Sequence, residues 1–263
     1  MAALSDNGRL RVGDADLEYR MIGPRPDRAP ALVLLHEGLG CVSMWRDFPD
    51  RLARATGCGV FVYSRQGYGG SSACRLPRPL TYMQIEGETV LPELLGAIGF
   101  SEGFLIGHSD GASIAAIHAG THRDRRLRGL VLIAPHFFTE ATGLAAIVET
   151  AAAYERGDLR ARLIKHHGKN VDGAFWGWNR AWLDPGFRQW NLTAYLPRID
   201  LPILVIQGTD DQYGTAAQID AVIRNCPGPV TVKLLSGCGH SPPREQPEAT
   251  LAAIAEFVAD LRA

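Results

Sequence analysis

Six short, mostly apolar runs punctuate the chain: Ala31–Leu35, Gly59–Tyr63, Gly103–Ile106, Leu130–Ile133, Ile203–Ile206 and Val230–Leu234. Successive apolar positions need cover on both faces, the condition of a strand inside a parallel sheet. Between the runs stand stretches of helical character at Met44–Thr56, Tyr82–Ile98, Ser109–Ala119, Thr215–Arg224 and Glu245–Leu261. Ahead of them all, Arg9–Met21 alternates around Gly13-Asp14 and predicts a hairpin. Strand alternating with helix predicts an α/β fold whose mostly parallel sheet carries helices on both faces.

One interval breaks the alternation. From about Thr139 to Pro197 no strand-like run occurs, and the segment is helical, then aromatic, with Phe175, Trp176, Trp178, Trp182 and Trp190. Such an insertion is too long for a plain connector. Its aromatics are expected to seal a helical hairpin to the body, to line a substrate pocket, or both. The expected organisation is one domain, with a core formed by residues 1–138 and 198–263 and an insertion at 139–197.

Composition narrows the class. Of 263 residues, 46% are hydrophobic and 21% charged, which excludes intrinsic disorder. The 27 Lys and Arg against 28 Asp and Glu give a net charge of −1, so no cationic surplus exists to neutralise a nucleic-acid backbone. No apolar run approaches the roughly 18 residues of a membrane span, and Met1–Asp6 lacks the basic and apolar regions of a secretory signal. Cys41, Cys58, Cys74, Cys226 and Cys238 are odd in number and contain no C-x-x-C pair. They read as reduced thiols of a cytoplasmic protein rather than as a disulfide framework or a zinc site. A small-molecule substrate is the expected partner; oligomeric state leaves no signature.

The most informative segment is Phe104-Leu105-Ile106-Gly107-His108-Ser109-Asp110-Gly111-Ala112-Ser113. It places G-x-S-x-G where a strand turns sharply into a helix. Small neighbours at Gly107 and Gly111 allow such a turn, which presents the Ser109 hydroxyl beside the positive end of the helix. Serine needs a base, and the base needs an acid to orient it. Downstream, Gln207-Gly208-Thr209-Asp210-Asp211 ends one strand with two carboxylates, and Gly237-Cys238-Gly239-His240-Ser241 follows the last strand. All of these stand at the carboxyl ends of strands, where open α/β sheets keep their sites.

From about residue 9 to the end, the chain resembles the α/β-hydrolase superfamily. The resemblance rests on His36-Glu37-Gly38-Leu39-Gly40, Ser64-Arg65-Gln66-Gly67-Tyr68-Gly69-Gly70-Ser71, the Gly107–Gly111 elbow, Gly208–Asp211 and Gly239-His240. It implies an eight-stranded sheet with a cap inserted after strand six, matching the Thr139–Pro197 interval. It further implies Ser109 as nucleophile, His240 as base and Asp211, rather than Asp210, as orienting acid. The oxyanion hole would use the N–H groups of Asp110 and Gly38. No cofactor and no metal are implied.

The chain departs from the family by reading His-Glu-Gly where His-Gly-x is common. A carboxylate facing a developing oxyanion opposes catalysis, so Glu37 is expected to turn away and pair with Arg65. The alternative is that it points into the pocket and reads a cationic substrate group. Phe175, Trp176, Trp178 and Trp182 are the candidate substrate contacts of the cap.

Rival chemistries fit less well. Gly38-Leu39-Gly40-Cys41-Val42-Ser43 resembles a dinucleotide fingerprint, but lacks the third glycine. His118 and His122 stand four apart without an H-E-x-x-H frame, and His166-His167 has no obvious third ligand. Within the superfamily, a serine nucleophile disfavours haloalkane dehalogenase and epoxide hydrolase chemistry. Carbon–carbon hydrolases typically carry asparagine and an aromatic where this chain has His108 and Ser241. The reading is a serine hydrolase of a small carboxylic ester, with carbon–carbon hydrolysis and a non-catalytic ligand receptor as alternatives.

Overall fold

The computed structural model describes residues 4–262. Its eight strands are β1 Asn7–Val12, β2 Ala15–Ile22, β3 Ala31–Leu35, β4 Gly59–Tyr63, β5 Gly103–His108, β6 Leu127–Ile133, β7 Ile203–Gly208 and β8 Val230–Leu235. They form one sheet in the order β1-β2-β4-β3-β5-β6-β7-β8. The hairpin β1–β2 turns at Gly13-Asp14 and joins β4 antiparallel, and every pairing from β4 to β8 is parallel. This is the sheet that the apolar runs predict.

The helices are α1 Phe48–Thr56, α2 Tyr82–Ile85, α3 Leu91–Ala97, α4 Asp110–His122, α5 Ala141–Arg156, α6 Leu159–His167, α7 Val171–Leu183, α8 Ala216–Asn225, α9 Pro242–Glu245 and α10 Pro247–Asp260. Alternate residues of each central strand feed two separate cores. Val33, Leu35 and Leu105 pack with Leu91, Leu94, Ile114 and Ile117 of α3 and α4. Leu32, Leu34, Phe104 and Ile106 pack with Phe48, Leu52, Leu251 and Ile254 of α1 and α10. The two-sided cover explains why these strands read as unbroken apolar runs.

Helix boundaries depart from the sequence pattern where proline or backbone strain intervenes. Met44–Thr56 is two pieces, because Arg46 adopts φ 54° and α1 begins afresh with Pro49 in its first turn. Glu245–Leu261 divides at Gln246, with Pro242 and Pro247 each opening a helix. Tyr82–Ile98 is continuous but contains a π-helical turn, Glu86–Val90, between α2 and α3.

Between β6 and β7 the chain builds α5, α6 and α7 and three 3-10 turns. Phe175 of α7 lies flat on Tyr154 of α5, with ring centroids 3.6 Å apart, and Trp182 packs on Phe187 and Trp190. These aromatics are continuous with the core beneath α4. No described helix is long and apolar enough to cross a membrane. Because Phe175 is fully buried, Phe175→Ala is expected to cost about 3–5 kcal/mol. Scanning calorimetry should show one peak moved to lower temperature; a separate, earlier peak would mean that the insertion unfolds by itself.

Candidate active site

The turn from β5 into α4 is closed so tightly that side chains are excluded from it. A Cβ at Gly107 would overlap the carbonyl of Gly111, and one at Gly111 would overlap the carbonyl of Leu35 on β3. Squeezed between them, Ser109 takes φ 53° and ψ −118°, so the helix starts one residue later than the apolar pattern suggests. A non-glycine residue in that region stores about 1–3 kcal/mol, held by the surrounding packing. Ser109 Oγ has no hydrogen-bond partner among the described residues. It faces a cavity of about 440 Å³ lined also by Gly38, Asp110, His136, Trp178, Trp182 and His240.

His240 reaches this cavity from the loop after β8. Its Nδ1 donates to Asp211, 2.8 Å from Oδ2 and 2.9 Å from Oδ1. Asp211 also accepts from Gln207 Nε2 at 2.6 Å and from the Tyr213 amide at 2.8 Å. Burial pushes the Asp211 carboxyl up, but the bond and charge of His240 outweigh it and hold the group below the ordinary carboxylate range. The ring is thereby held in the tautomer that carries its proton on Nδ1. Asp210, by contrast, accepts from Thr209 Oγ1 and lies exposed.

Two main-chain donors complete the arrangement. The N–H groups of Gly38 and Asp110 have no acceptor among the described residues, and both residues line the cavity. A Cβ at Gly38 would overlap the Trp178 indole, so a side chain there would require that ring to move. The Asp110 carboxylate is turned away and accepts from Tyr82 Oη at 2.6 Å; that oxygen accepts in turn from Trp182 Nε1 at 3.1 Å.

A family model described as "Alpha/beta hydrolase family" matches residues 32–254. The chain belongs to the alpha/beta hydrolase family. A proline iminopeptidase of Lactobacillus delbrueckii subsp. lactis is 26% identical over 273 residues, covering 89% of this chain and 91% of that protein. An epoxide hydrolase 3 of Xenopus tropicalis is 28% identical over 137 residues, covering 51% of this chain and 36% of that protein. Among solved structures, the enol-lactonase from Burkholderia xenovorans LB400 superposes with TM-score 0.75 at 21% identity, covering 96% of this chain and 100% of its own. These relatives support a hydrolase.

Three expectations for this hydrolase need correction. The Glu37 carboxylate does not pair with Arg65. The buried Arg65 guanidinium instead donates to main-chain carbonyls, Nη1 to His36 O and Nη2 to Glu37 O at 3.0 Å. The Glu37 side chain folds over Gly40, where a Cβ would block it, and brings Oε2 within 3.5 Å of His108 Nδ1. Nor do Phe175 and Trp176 reach the cavity. Phe175 is covered by Tyr154, and Trp176 meets Tyr154 and Phe175 edge-on beside Arg180. Trp178 and Trp182, one turn apart on α7, line the cavity and are also buried in the core.

His108 and His136 are the residues that motif reasoning passed over. His108 Nε2 donates to the His240 carbonyl at 2.7 Å while Nδ1 faces Glu37. With an acceptor near each nitrogen, the ring ties the Gly38 loop to the His240 loop. Burial acts against a charge on the ring, but Glu37 raises the His108 pKa above the ordinary imidazole value. Glu37 shows the reverse: burial pushes it up, but His108 holds it down at about 2. His136 follows β6, a strand end like those that carry the other site residues. Its ring lies 5.5 Å from that of His240, and burial, then the charge of His240, lowers its pKa to about 3, so it stays neutral.

Gly107→Ala is expected to destabilise the protein by more than about 3 kcal/mol, since no flexible side chain can yield to the added methyl. Urea unfolding at neutral pH measures this. A second expectation concerns Glu37→Gln. The lowered Glu37 stabilises above its unfolded value and fades as pH falls towards 2; the raised His108 stabilises below its unfolded value and fades as pH rises through its folded one. The couple is therefore at full strength between about pH 4.5 and about pH 6.5. Glu37→Gln should cost about 1–2 kcal/mol there and less at pH 9. Melting curves at both pH values check this, and a deficit unchanged with pH would contradict the ion pair.

Proposed function

We propose that this hydrolase cleaves a small carboxylic ester through an acyl-enzyme on Ser109. The observation that carries the reading is the meeting, in one cavity, of the strained Ser109, the Asp211-bound His240 and the free amides of Gly38 and Asp110. After a short rotamer movement of Ser109, His240 Nε2 takes the proton from Oγ as the oxygen attacks the ester carbonyl. The two amides receive the negative charge of the tetrahedral intermediate, each donor worth about 3 kcal/mol of barrier. His240 returns its proton to the departing alcohol as the C–O bond breaks. Water, deprotonated by the same nitrogen, then releases the acid and restores Ser109. The insertion at 139–197 acts as a cap whose Trp178 and Trp182 cover the acyl group.

Two features favour an ester over the substrates suggested by the relatives' names. A carboxylate that opens an epoxide forms an ester that water can cleave, whereas a serine would leave a stable ether. A peptide with a free amino terminus needs an unpaired carboxylate in the pocket, and every acid lining this cavity is engaged. Glu37 faces His108, Asp110 accepts from Tyr82, Glu140 from Thr215 and Gln218, and Glu245 from the amides of Gly239 and Ser241.

A fluorophosphonate probe should label Ser109 in the wild type and nothing in Ser109→Ala, which should also lose p-nitrophenyl acetate hydrolysis. Asp211→Asn should retain the fold but lose about 10³–10⁴-fold in kcat, because His240 is left in the wrong tautomer. An unlabelled Ser109 would favour a ligand receptor, and turnover of a ring-cleavage dienoate but no ester would favour carbon–carbon hydrolysis.

A further inference from the structure

Beside the cavity at Ser109, and sharing Glu37, Met44, Leu163, Arg162 and Arg244 with its wall, lies a second lobe of about 450 Å³, bounded by α6, the start of α1 and α9. Its basic side chains outnumber its acidic ones. The α6 wall carries Arg162 and Lys165 one turn apart, the α9 wall carries Arg244, and Arg46 stands before α1. Lys165, Arg244 and Arg46 have no ion-pair partner among the described residues. Arg162 has only Asp158, at 3.4 Å on the same exposed helix face, a pairing of little strength in water. Arg51 is occupied by Glu248, and His166 Nδ1 by Ser43 Oγ. On the acidic side, Glu37 faces His108, leaving Asp47 as the one lining carboxylate without a partner among the described residues.

The lobe thus holds a clear positive surplus in a chain whose net charge is −1. Arg162 and Arg244 line both lobes, so two guanidinium groups are offered to one bound anion. Resting on the reading of Ser109 as nucleophile, we propose that the ester or thioester cleaved there carries an anionic group, carboxylate or phosphate. That group lies in the second lobe, between Arg162, Lys165 and Arg244. The acyl carbon then sits at Ser109, and the charged end extends towards α1 and α6.

The test compares three substrates: p-nitrophenyl pentanoate as the neutral reference, p-nitrophenyl hemisuccinate with an anionic acyl group, and butyryl-coenzyme A with a phosphate-bearing leaving group. At low ionic strength at least one anionic substrate should exceed the neutral one in kcat/KM by about tenfold or more, and the advantage should shrink as salt rises. Which one does so distinguishes a carboxylate from a phosphate. Arg162→Gln combined with Arg244→Gln should lower the anionic-to-neutral ratio by about tenfold, chiefly through KM, with partial rescue by lysine at both positions. A ratio near one, indifferent to salt and to the double variant, would overturn the proposal.

A binding measurement separates this outcome from failure of the hydrolytic reading. If Ser109 takes no fluorophosphonate and no substrate turns over, Ser109→Ala protein is titrated with succinate and with coenzyme A. Binding that weakens in the double variant keeps the anion site without the hydrolysis, and absence of binding removes the site.

Discussion

The approach of the β5–α4 turn to the end of β3 is the constraint on which the site depends. Gly107 lies against the Gly111 carbonyl and Gly111 against the Leu35 carbonyl, with no room for a side chain. This contact forces Ser109 into left-handed backbone and sets the Asp110 amide beside the β3 loop that bears Gly38. The sheet makes the contact possible, because β3 and β5 are neighbours in register through Leu35 and Gly107. A strained residue persists only where its surroundings over-determine it, and here two cores and three parallel strands do so.

Around that turn the polar groups are arranged to immobilise the backbone. His36 donates through Nδ1 to the Glu37 carbonyl and accepts the Arg65 amide at Nε2, while the Arg65 guanidinium takes the His36 and Glu37 carbonyls. The Gly38 loop is thus pinned by its acceptors, leaving its donor unspent. On the other side, Glu37 and His108 link that loop to the His240 carbonyl. A buried pair contributes little net stability when its desolvation is counted, so its significance is positional.

The insertion acts on the same elements from above. Trp178 lies against Gly38, and Trp182 reaches the Tyr82 hydroxyl that holds Asp110. The indoles that cover the pocket therefore also bear on Gly38 and Asp110, the two residues whose free amides line it. Sealing and lining, the two roles open to these tryptophans in the sequence, are performed together by Trp178 and Trp182, while Phe175 and Trp176 only seal.

The residues alone determined the sheet, its mostly parallel sense and the strand ends at which Ser109, Asp211 and His240 stand, because two-sided burial and sharp glycine turns leave local patterns. They also marked the strandless interval between β6 and β7, since a missing strand rhythm is itself a pattern. The partners of charged side chains left no such trace. Glu37 and Arg65 follow neighbouring strands, yet which atoms meet depends on a side chain folding over Gly40. His108, in the nucleophile motif, and His136, beyond β6, acquire their surroundings only when strand ends converge. The same holds for the cations of the second lobe, contributed by α6, α9 and the loop before α1. Patterns along the chain encode burial, which is local and periodic; charge pairing is set by distances between segments, and those exist only in the folded molecule.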